Sequence, residues 1–163
     1  MIYVEAFSKE YRSEYTYKSI KPFPMVLFLG GGISNCIDWQ SEVVEELSYQ
    51  DDDLVVINPR RSNFDIFNTA DAIKQIEWEH RHIAIANYMF FWFPYETLCP
   101  ITLFEYGKCL ALKKPIFVGC HPDYTRRLDL EVQTRLEDSE LEIRYSLADM
   151  VLDVNYELSH PLG

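Results

Sequence analysis

Glu105 stands at a position where a carboxylate could do chemistry. It falls within PITLFEYGKC (100–109), a stretch that predicts a helix opened by Pro100, a favoured first-turn residue. At helical spacing it shares one stripe with three apolar residues, Ile101, Cys109 and Leu112. Burying an unpaired carboxylate costs several kcal/mol, or raises its pKa until it stays neutral. Glu105 therefore lies either at the solvated edge of the helix or against a cavity that requires an acid.

The position of Glu105 in the predicted helix suits a nucleophile. It lies about a turn and a half from the helix start, where the positive end of the helix still slightly favours the ionised form. An ionised carboxylate at the mouth of a pocket is what covalent attack on a sugar carbon requires. A second acid, Glu79, lies near the end of the preceding predicted helix. By itself Glu79 has the ordinary interpretation of a glutamate on a solvated helix face.

A glycine-rich segment, GGGISNCIDWQ (30–40), follows the first apolar run. Its three glycines, Gly30, Gly31 and Gly32, permit close approach of a ligand to the backbone, and the next helix offers free N–H groups. The segment is not a dinucleotide fingerprint, because Asn35 replaces the last glycine of that motif. It is not a phosphate-binding P-loop either, since no Lys-Ser/Thr pair follows. The alternative is a tight turn in which Asp38 caps the helix.

Other side chains that could bind a ligand carry weaker signals. Arg60, in NPRR (58–61), could bind a phosphate or carboxylate bidentately, or could pack as an ordinary surface arginine. His80 and His82 are two residues apart on a predicted helix and do not share a face, so no metal site is expected. The four cysteines form no C-x-x-C pair, and we interpret them as reduced thiols in a cytoplasmic protein.

Composition sets the class of protein. The chain has 163 residues, 48% of them hydrophobic and 15% aromatic, which indicates a packed globular protein and most simply one domain, 1–163. The net charge is −11 and the isoelectric point is near 4.7. That balance disfavours binding to nucleic acid polymers or to anionic membranes. No apolar run approaches the length of a membrane span, and the N-terminus is unlike a signal peptide.

Apolar runs alternate with helical patterns along the chain. Buried strands are predicted at 25–30, 54–58, 88–93 and 115–120, and helices at 38–49, 68–86, 100–112 and 128–137. The segment 148–154 is expected to form a fifth strand, and residues 1–22 a hairpin or an edge extension. This alternation predicts an α/β fold with a central, mainly parallel sheet of about five strands between helices. Ligands of such sheets bind at the carboxyl ends of the strands.

In this order the blocks resemble the nucleoside 2-deoxyribosyltransferase-like family. The matching segments are FLGGG…DWQ (28–40), NPRR (58–61), QIEWEH (75–80), FFWFPYETLCPITLFEYGKCLALKKPIFVG (90–119) and HPDY (121–124). The resemblance implies a flavodoxin-like three-layer sandwich that cleaves the N-glycosidic bond of a nucleoside with retention and without a cofactor. It also implies a homo-oligomer in which neighbouring subunits complete each other's sites.

The same resemblance assigns roles to residues. Glu105 matches the nucleophilic glutamate of the family's Glu-x-Gly motif, Glu79 an acid that holds or protonates the base, and Asp38 an acid after the glycine loop. Within the matching blocks we expect the substrate to contact Phe28, the three glycines, Trp39, Asn58, Arg60 and Pro94. Many members carry a tyrosine where this chain has Phe28, and an aspartate where it has Asn87.

The sequence thus predicts N-glycosyl transfer or hydrolysis on a (deoxy)ribonucleoside or nucleotide through a glycosyl-glutamate intermediate. The alternatives are a non-catalytic module of the same fold that binds nucleotides, and another α/β enzyme in which the glutamate does unrelated acid–base work. The sequence leaves open the base, the sugar, the 5′-phosphate and whether water or a second base accepts the sugar.

Overall fold

A computed structural model describes residues 1–6, 25–49, 54–61 and 68–160 of the chain. The six strands in these ranges are β1 (Ile2–Glu5), β2 (Met25–Gly31), β3 (Leu54–Asn58), β4 (Tyr88–Phe93), β5 (Ile116–Cys120) and β6 (Ile143–Arg144). The helices in the same ranges are α1 (Trp39–Ser48), α2 (Thr69–Ile85), α3 (Pro100–Ala111), α4 (Arg127–Glu137) and α5 (Leu147–Ser159). None of these helices is long and apolar enough to span a membrane.

All six strands of the described chain pair in parallel in the order β1-β3-β2-β4-β5-β6. The central strands are continuous apolar runs, such as YMFFWF in β4, because helices cover both of their faces. From β3 to β6 the order is that of a flavodoxin-like sheet, and β1 adds an edge strand outside β3. The chain reverses its direction of winding between β2 and β4, the point at which such sheets bind ligands.

Alternating strand residues feed two separate hydrophobic cores. On one face α1 and α5 pack against the sheet, with Trp39 and Met150 fully buried. On the other face α2, α3 and α4 contribute Trp78, Tyr106 and Leu130 to the second core. The result is the predicted three-layer α/β sandwich, which is confirmed.

Two predictions about the sheet need correction. The sheet has six strands in the described residues where about five were expected, since β1 and the two-residue β6 were not counted. The segment 148–154 is not a strand but the centre of α5. Its buried residues Met150, Val151 and Val154 follow helical spacing, and the side chain of Ser146 caps the helix by accepting from the Asp149 N–H.

The N-terminal segment is described only in part. Ile2–Glu5 lies at the edge of the sheet, in register with Val55–Asn58 of β3, so an edge strand is present. Residues 7–24 of the predicted hairpin or extension lie outside the described residues.

Candidate active site

A cavity of about 560 Å³ opens at the carboxyl end of β2, between α2 and α3. Glycines at the end of β2 form one wall, Glu79 on α2 a second, and Glu105 on α3 a third. Its position matches the reversal of winding, where ligand sites of parallel sheets are expected. The volume lies within the ordinary range for small-molecule sites.

The glycine loop is packed too tightly for side chains. A Cβ on Gly31 would overlap the ring of Trp39 and lie 2.5 Å from the Trp92 carbonyl oxygen. The Gly32 carbonyl accepts hydrogen bonds from Trp39 Nε1 (2.8 Å) and Gln40 Nε2 (3.2 Å), both from buried side chains of α1. This packing holds the backbone of Gly30, Gly31 and Gly32 against the cavity, where a ligand can contact it.

Glu105 faces the cavity from the second turn of α3. The pKa of Glu105 is raised to about 8. Burial is the largest cause, the charge of the nearby Glu79 adds to the rise, and Lys108 lowers the pKa. Of the two alternatives for this residue, a solvated edge or a cavity, the structure places it at the cavity. The neutral form of Glu105 is therefore favoured near pH 7.

Glu79 is held by its own helix. Gln75 Nε2 donates a hydrogen bond of 2.7 Å to Glu79 Oε1. Burial raises the pKa of Glu79, whereas the Gln75 hydrogen bond and the Arg61 cation lower it. These two contacts favour the charged form of Glu79, and the charge of Glu79 in turn favours the neutral form of Glu105.

Apolar side chains form the rim of the cavity. Ile76, Ile101 and Phe104 line it and are 63%, 64% and 72% exposed. The helical spacing of Ala72, Ile76 and Ile83 predicts that Ile76 lies on the buried side of α2, and this prediction is wrong. The buried residues of α2 are Gln75, Trp78, His82 and Ile83. Ile76 lies at the mouth of the cavity instead. Phe28 is buried and forms part of the cavity wall.

Asp38 and Arg60 lie beside the cavity and are engaged with the protein. Asp38 caps α1, accepting from Ser41 N at 3.1 Å. The Arg60 guanidinium donates to Gln40 Oε1 and the Ile37 carbonyl, each at 2.9 Å, and forms an ion pair with Asp38 at 3.2 Å. In this arrangement the two residues stabilise the glycine loop and the start of α1.

The other residues predicted to contact the substrate do not line the cavity: Trp39, Asn58 and Pro94. Asn58 donates to the Tyr3 hydroxyl at 3.0 Å and accepts from Arg60 N at 2.9 Å, which joins β3 to the edge strand. Pro94 Cγ would contact a Cβ on Gly32. These side chains shape the loop, and direct contact with a substrate stays a prediction for each of them.

Several cavity residues were missed in the sequence. Lys108 lies one turn after Glu105 and lowers its pKa, a signal present in the i, i+3 spacing. Gln75 precedes Glu79 by four residues, which is the spacing of a helical side-chain pair. Cys99 caps α3 with a left-handed backbone, φ 50°, and lines the cavity. Nothing in the residue type predicts that conformation.

A comparison with protein-family models matches residues 25–124 to the family described as nucleoside 2-deoxyribosyltransferase like. The chain belongs to this family. No curated protein matches the chain. The segment that matches the nucleoside 2-deoxyribosyltransferase-like family contains every residue of the cavity wall, from Phe28 to Lys108.

Proposed function

We propose that the protein cleaves the N-glycosidic bond of a (deoxy)ribonucleoside or nucleotide through a covalent glycosyl-glutamate intermediate. One observation carries the proposal: Glu105 and Glu79 line one cavity, close enough for the charge of Glu79 to act on Glu105. Retaining glycosyl chemistry needs two such acids, one as nucleophile and one as proton donor. Membership of the nucleoside 2-deoxyribosyltransferase-like family supports the same chemistry.

In the first step a carboxylate oxygen of Glu105 attacks C1′. The C1′–N bond breaks, its electron pair stays on the base, and Glu79 supplies the proton to a ring nitrogen. The products are a glycosyl ester of Glu105 and the free, neutral base. Water or a second base then attacks C1′ and gives its proton to the Glu79 carboxylate, and the Glu105–C1′ bond breaks to restore the Glu105 carboxylate. Two inversions give net retention.

In this proposal, substrate binding moves a proton from Glu105 to Glu79. We take Glu105 to hold the proton before substrate binds, since Gln75 and Arg61 support the charged form of Glu79 and that charge favours neutral Glu105. A ring nitrogen with a free lone pair beside Glu79 needs a donor, so the bound base draws the proton to Glu79. Glu105 is then ionised and next to the sugar. One proton shared by two acids serves both roles.

The other parts of the site have supporting roles in this proposal. The backbone of Gly30, Gly31 and Gly32 approaches the ligand, and Phe28 supplies an apolar wall. Asp38 as a second acid and Arg60 as the ligand of a 5′-phosphate stay predictions, as does the absence of a cofactor. A cytoplasmic location fits the four free thiols. We also propose a homo-oligomer, because the rim formed by Ile76, Ile101 and Phe104 is apolar and exposed.

The test is release or exchange of the base across a panel of nucleosides and 5′-nucleotides, with Glu105→Gln as the variant. We expect a loss of at least about a thousandfold in kcat, since the substitution removes the nucleophile. Intact mass spectrometry of the native protein with substrate and no acceptor should show a glycosyl adduct on Glu105. Glu131→Gln, on α4, is the matched control and should keep full activity.

Phe28 supports a second candidate function. A phenyl ring gives Glu105 no hydroxyl to orient it, as the tyrosine of many family members does. The protein would then bind nucleosides without turning them over. Ligands would raise its melting temperature while no base is released over long incubation. Activity that survives Glu105→Gln would contradict the nucleophile assignment in either case.

A further inference from the structure

A smaller side pocket of about 120 Å³ adjoins the active-site cavity. The two spaces share the wall formed by Ile33, Ser34 and Pro59. Arg61 and Gln75 complete the side pocket. It is large enough for a substituent of a ligand but too small for a whole nucleoside, so it extends the main cavity.

Gln75 is the unusual residue of this side pocket. Its side chain is buried, with 7% exposed, and its Nε2 uses both hydrogens, one to the Pro59 carbonyl at 2.9 Å and one to Glu79 Oε1 at 2.7 Å. Two acceptors around the nitrogen fix the orientation of the amide. Within the described part of the chain, Gln75 Oε1 then has no hydrogen-bond partner.

A buried carbonyl oxygen without a donor is costly and rare in native proteins. Here it lies on the same amide that holds Glu79, the proposed proton donor to the base. A base bound at Glu79 therefore lies next to Gln75. Gln75 also lines the side pocket, which adjoins the main cavity and offers room for a substituent of such a base.

We propose that Glu79 and Gln75 together recognise the amidine edge of the departing base, a ring nitrogen beside an exocyclic amino group. The inference rests on the proposed function, because it takes the base to be bound at Glu79. The ring nitrogen accepts the proton of Glu79, and the amino group enters the side pocket and donates to Gln75 Oε1. Adenine and cytosine carry this edge.

Bases with a carbonyl at the same position are disfavoured. Hypoxanthine, uracil and thymine would place a carbonyl oxygen against Gln75 Oε1, so that two acceptors face each other without a hydrogen. A ring N–H is set back within the edge of the ring, whereas an amino group projects by one bond into the side pocket. A site that hydrogen-bonds a substrate group rejects analogues lacking that group far more strongly than an apolar pocket does.

The experiment compares kcat/KM within pairs of substrates that differ at the amino group. The pairs are 2′-deoxyadenosine with 2′-deoxyinosine and 2′-deoxycytidine with 2′-deoxyuridine, and purine 2′-deoxyriboside replaces the amino group by hydrogen. We expect the native protein to prefer the amino-bearing member by roughly 10- to 100-fold. In Gln75→Met the ratio should fall to within about threefold, whatever the overall loss of rate.

Two further variants make the result specific to Gln75 Oε1. Gln133→Met makes the same chemical change at an exposed position on α4 and should keep the native ratio. Gln75→Asn keeps the amide but withdraws its oxygen by one methylene, and should reduce the ratio even where Gln75→Met fails to fold. Because the pairs are first compared in the native chain, equal rates there overturn the inference before any variant is made.

Failure of the proposed function gives a different result. If the native protein releases no base from any nucleoside, calorimetric binding of free adenine and free hypoxanthine decides the inference instead. Tighter binding of adenine that is lost in Gln75→Met supports it without turnover. Equal binding of the two bases, no binding of either, or a preference that persists in Gln75→Met overturns the inference.

Discussion

The surroundings of Glu105 favour the neutral form of its carboxyl group, although the proposed reaction uses the ionised form. Burial and the neighbouring Glu79 raise its pKa to about 8, against 4.5 for an ordinary glutamate. A buried, ionised carboxylate would lower the stability of the fold before substrate binds, so the cavity favours the protonated form of Glu105. In the proposed reaction, release of that proton to Glu79 would couple binding of the base to activation of the nucleophile.

The raised pKa of Glu105 predicts how the stability of the fold depends on pH. A raised pKa means that the folded protein binds the Glu105 proton more tightly than the unfolded chain. The stability associated with that proton is complete below about pH 4.5 and is lost as the pH rises through about 8. Glu105→Gln has no charge to bury, so it should be more stable than the native protein by about 1–3 kcal/mol at pH 8.5 and by little at pH 5.

Urea unfolding at both pH values measures this difference. Glu46→Gln, at an exposed position on α1, is the control and should show the same difference from the native protein at pH 5 and pH 8.5. A gain for Glu105→Gln that does not depend on pH would mean that the carboxyl group is not the group that titrates.

Residue types alone predict part of this site. The spacing of Glu105 on an apolar stripe leaves two explanations, a solvated edge or a cavity, and the role of nucleophile comes from the resemblance of Glu105-Tyr106-Gly107 to the family's Glu-x-Gly motif. Gln75 was not identified from the sequence, because a glutamine within a helix is usually a surface residue. Its burial depends on a contact with Pro59, which follows a different strand. Contacts between distant segments cannot be read from local spacing.

At the scale of elements, α2 must be fixed in place because it carries both Gln75 and Glu79. Lys114, in the turn before β5, reaches across to the end of this helix. Its Nζ donates to the carbonyls of Ile83 at 2.5 Å and Ala86 at 2.6 Å, groups that the end of the helix leaves without helical partners. Lys114 thus joins α2 to the turn between α3 and β5.

We expect Lys114→Met to lower the free energy of unfolding by about 1–2 kcal/mol, since hydrogen bonds from a charged group are lost and partly buried carbonyls stay unsatisfied. Chemical denaturation measures the loss. Lys74→Met, at an exposed position earlier on α2, changes the same residue type without these contacts and should cost less than ~0.5 kcal/mol. Equal losses in the two variants would show that Lys114 does not hold the helix.

Elements were predicted best where a single periodicity dominates. The strand at 88–93 was found with its observed bounds, because YMFFWF is apolar throughout and is stopped by Pro94. The prediction of a strand at 148–154 was wrong because ADMVLDV is short, and its valines and leucine fit a strand as well as a helix. Only the tertiary contacts distinguish a helix from a strand here, because Met150 and Val154 pack in one core with residues of β2 and β4.

At the scale of the whole molecule, the strand order brings the parts of the site together. Residues from β2, α2 and α3 lie far apart in sequence, and they meet because β2 pairs with β3 on one side and β4 on the other. The crossing helices α2 and α3 then flank the carboxyl end of β2. The same arrangement leaves the mouth of the cavity surrounded by apolar side chains that the described chain does not cover.

That exposed rim leads to a prediction about assembly. Ile76, Ile101 and Phe104 are each more than 60% exposed around the cavity, and the proposed reaction there would be favoured by exclusion of bulk water. If a second copy covers the rim, Phe104→Glu places a charge in an apolar interface and should convert the assembly to monomers. Leu136→Glu is the matched control, because Leu136 on α4 is equally exposed, at 72%, and does not line the cavity. Sedimentation velocity should give the native mass for Leu136→Glu and half of it or less for Phe104→Glu. Identical masses for both variants and the native protein would mean that the rim is not an interface between copies.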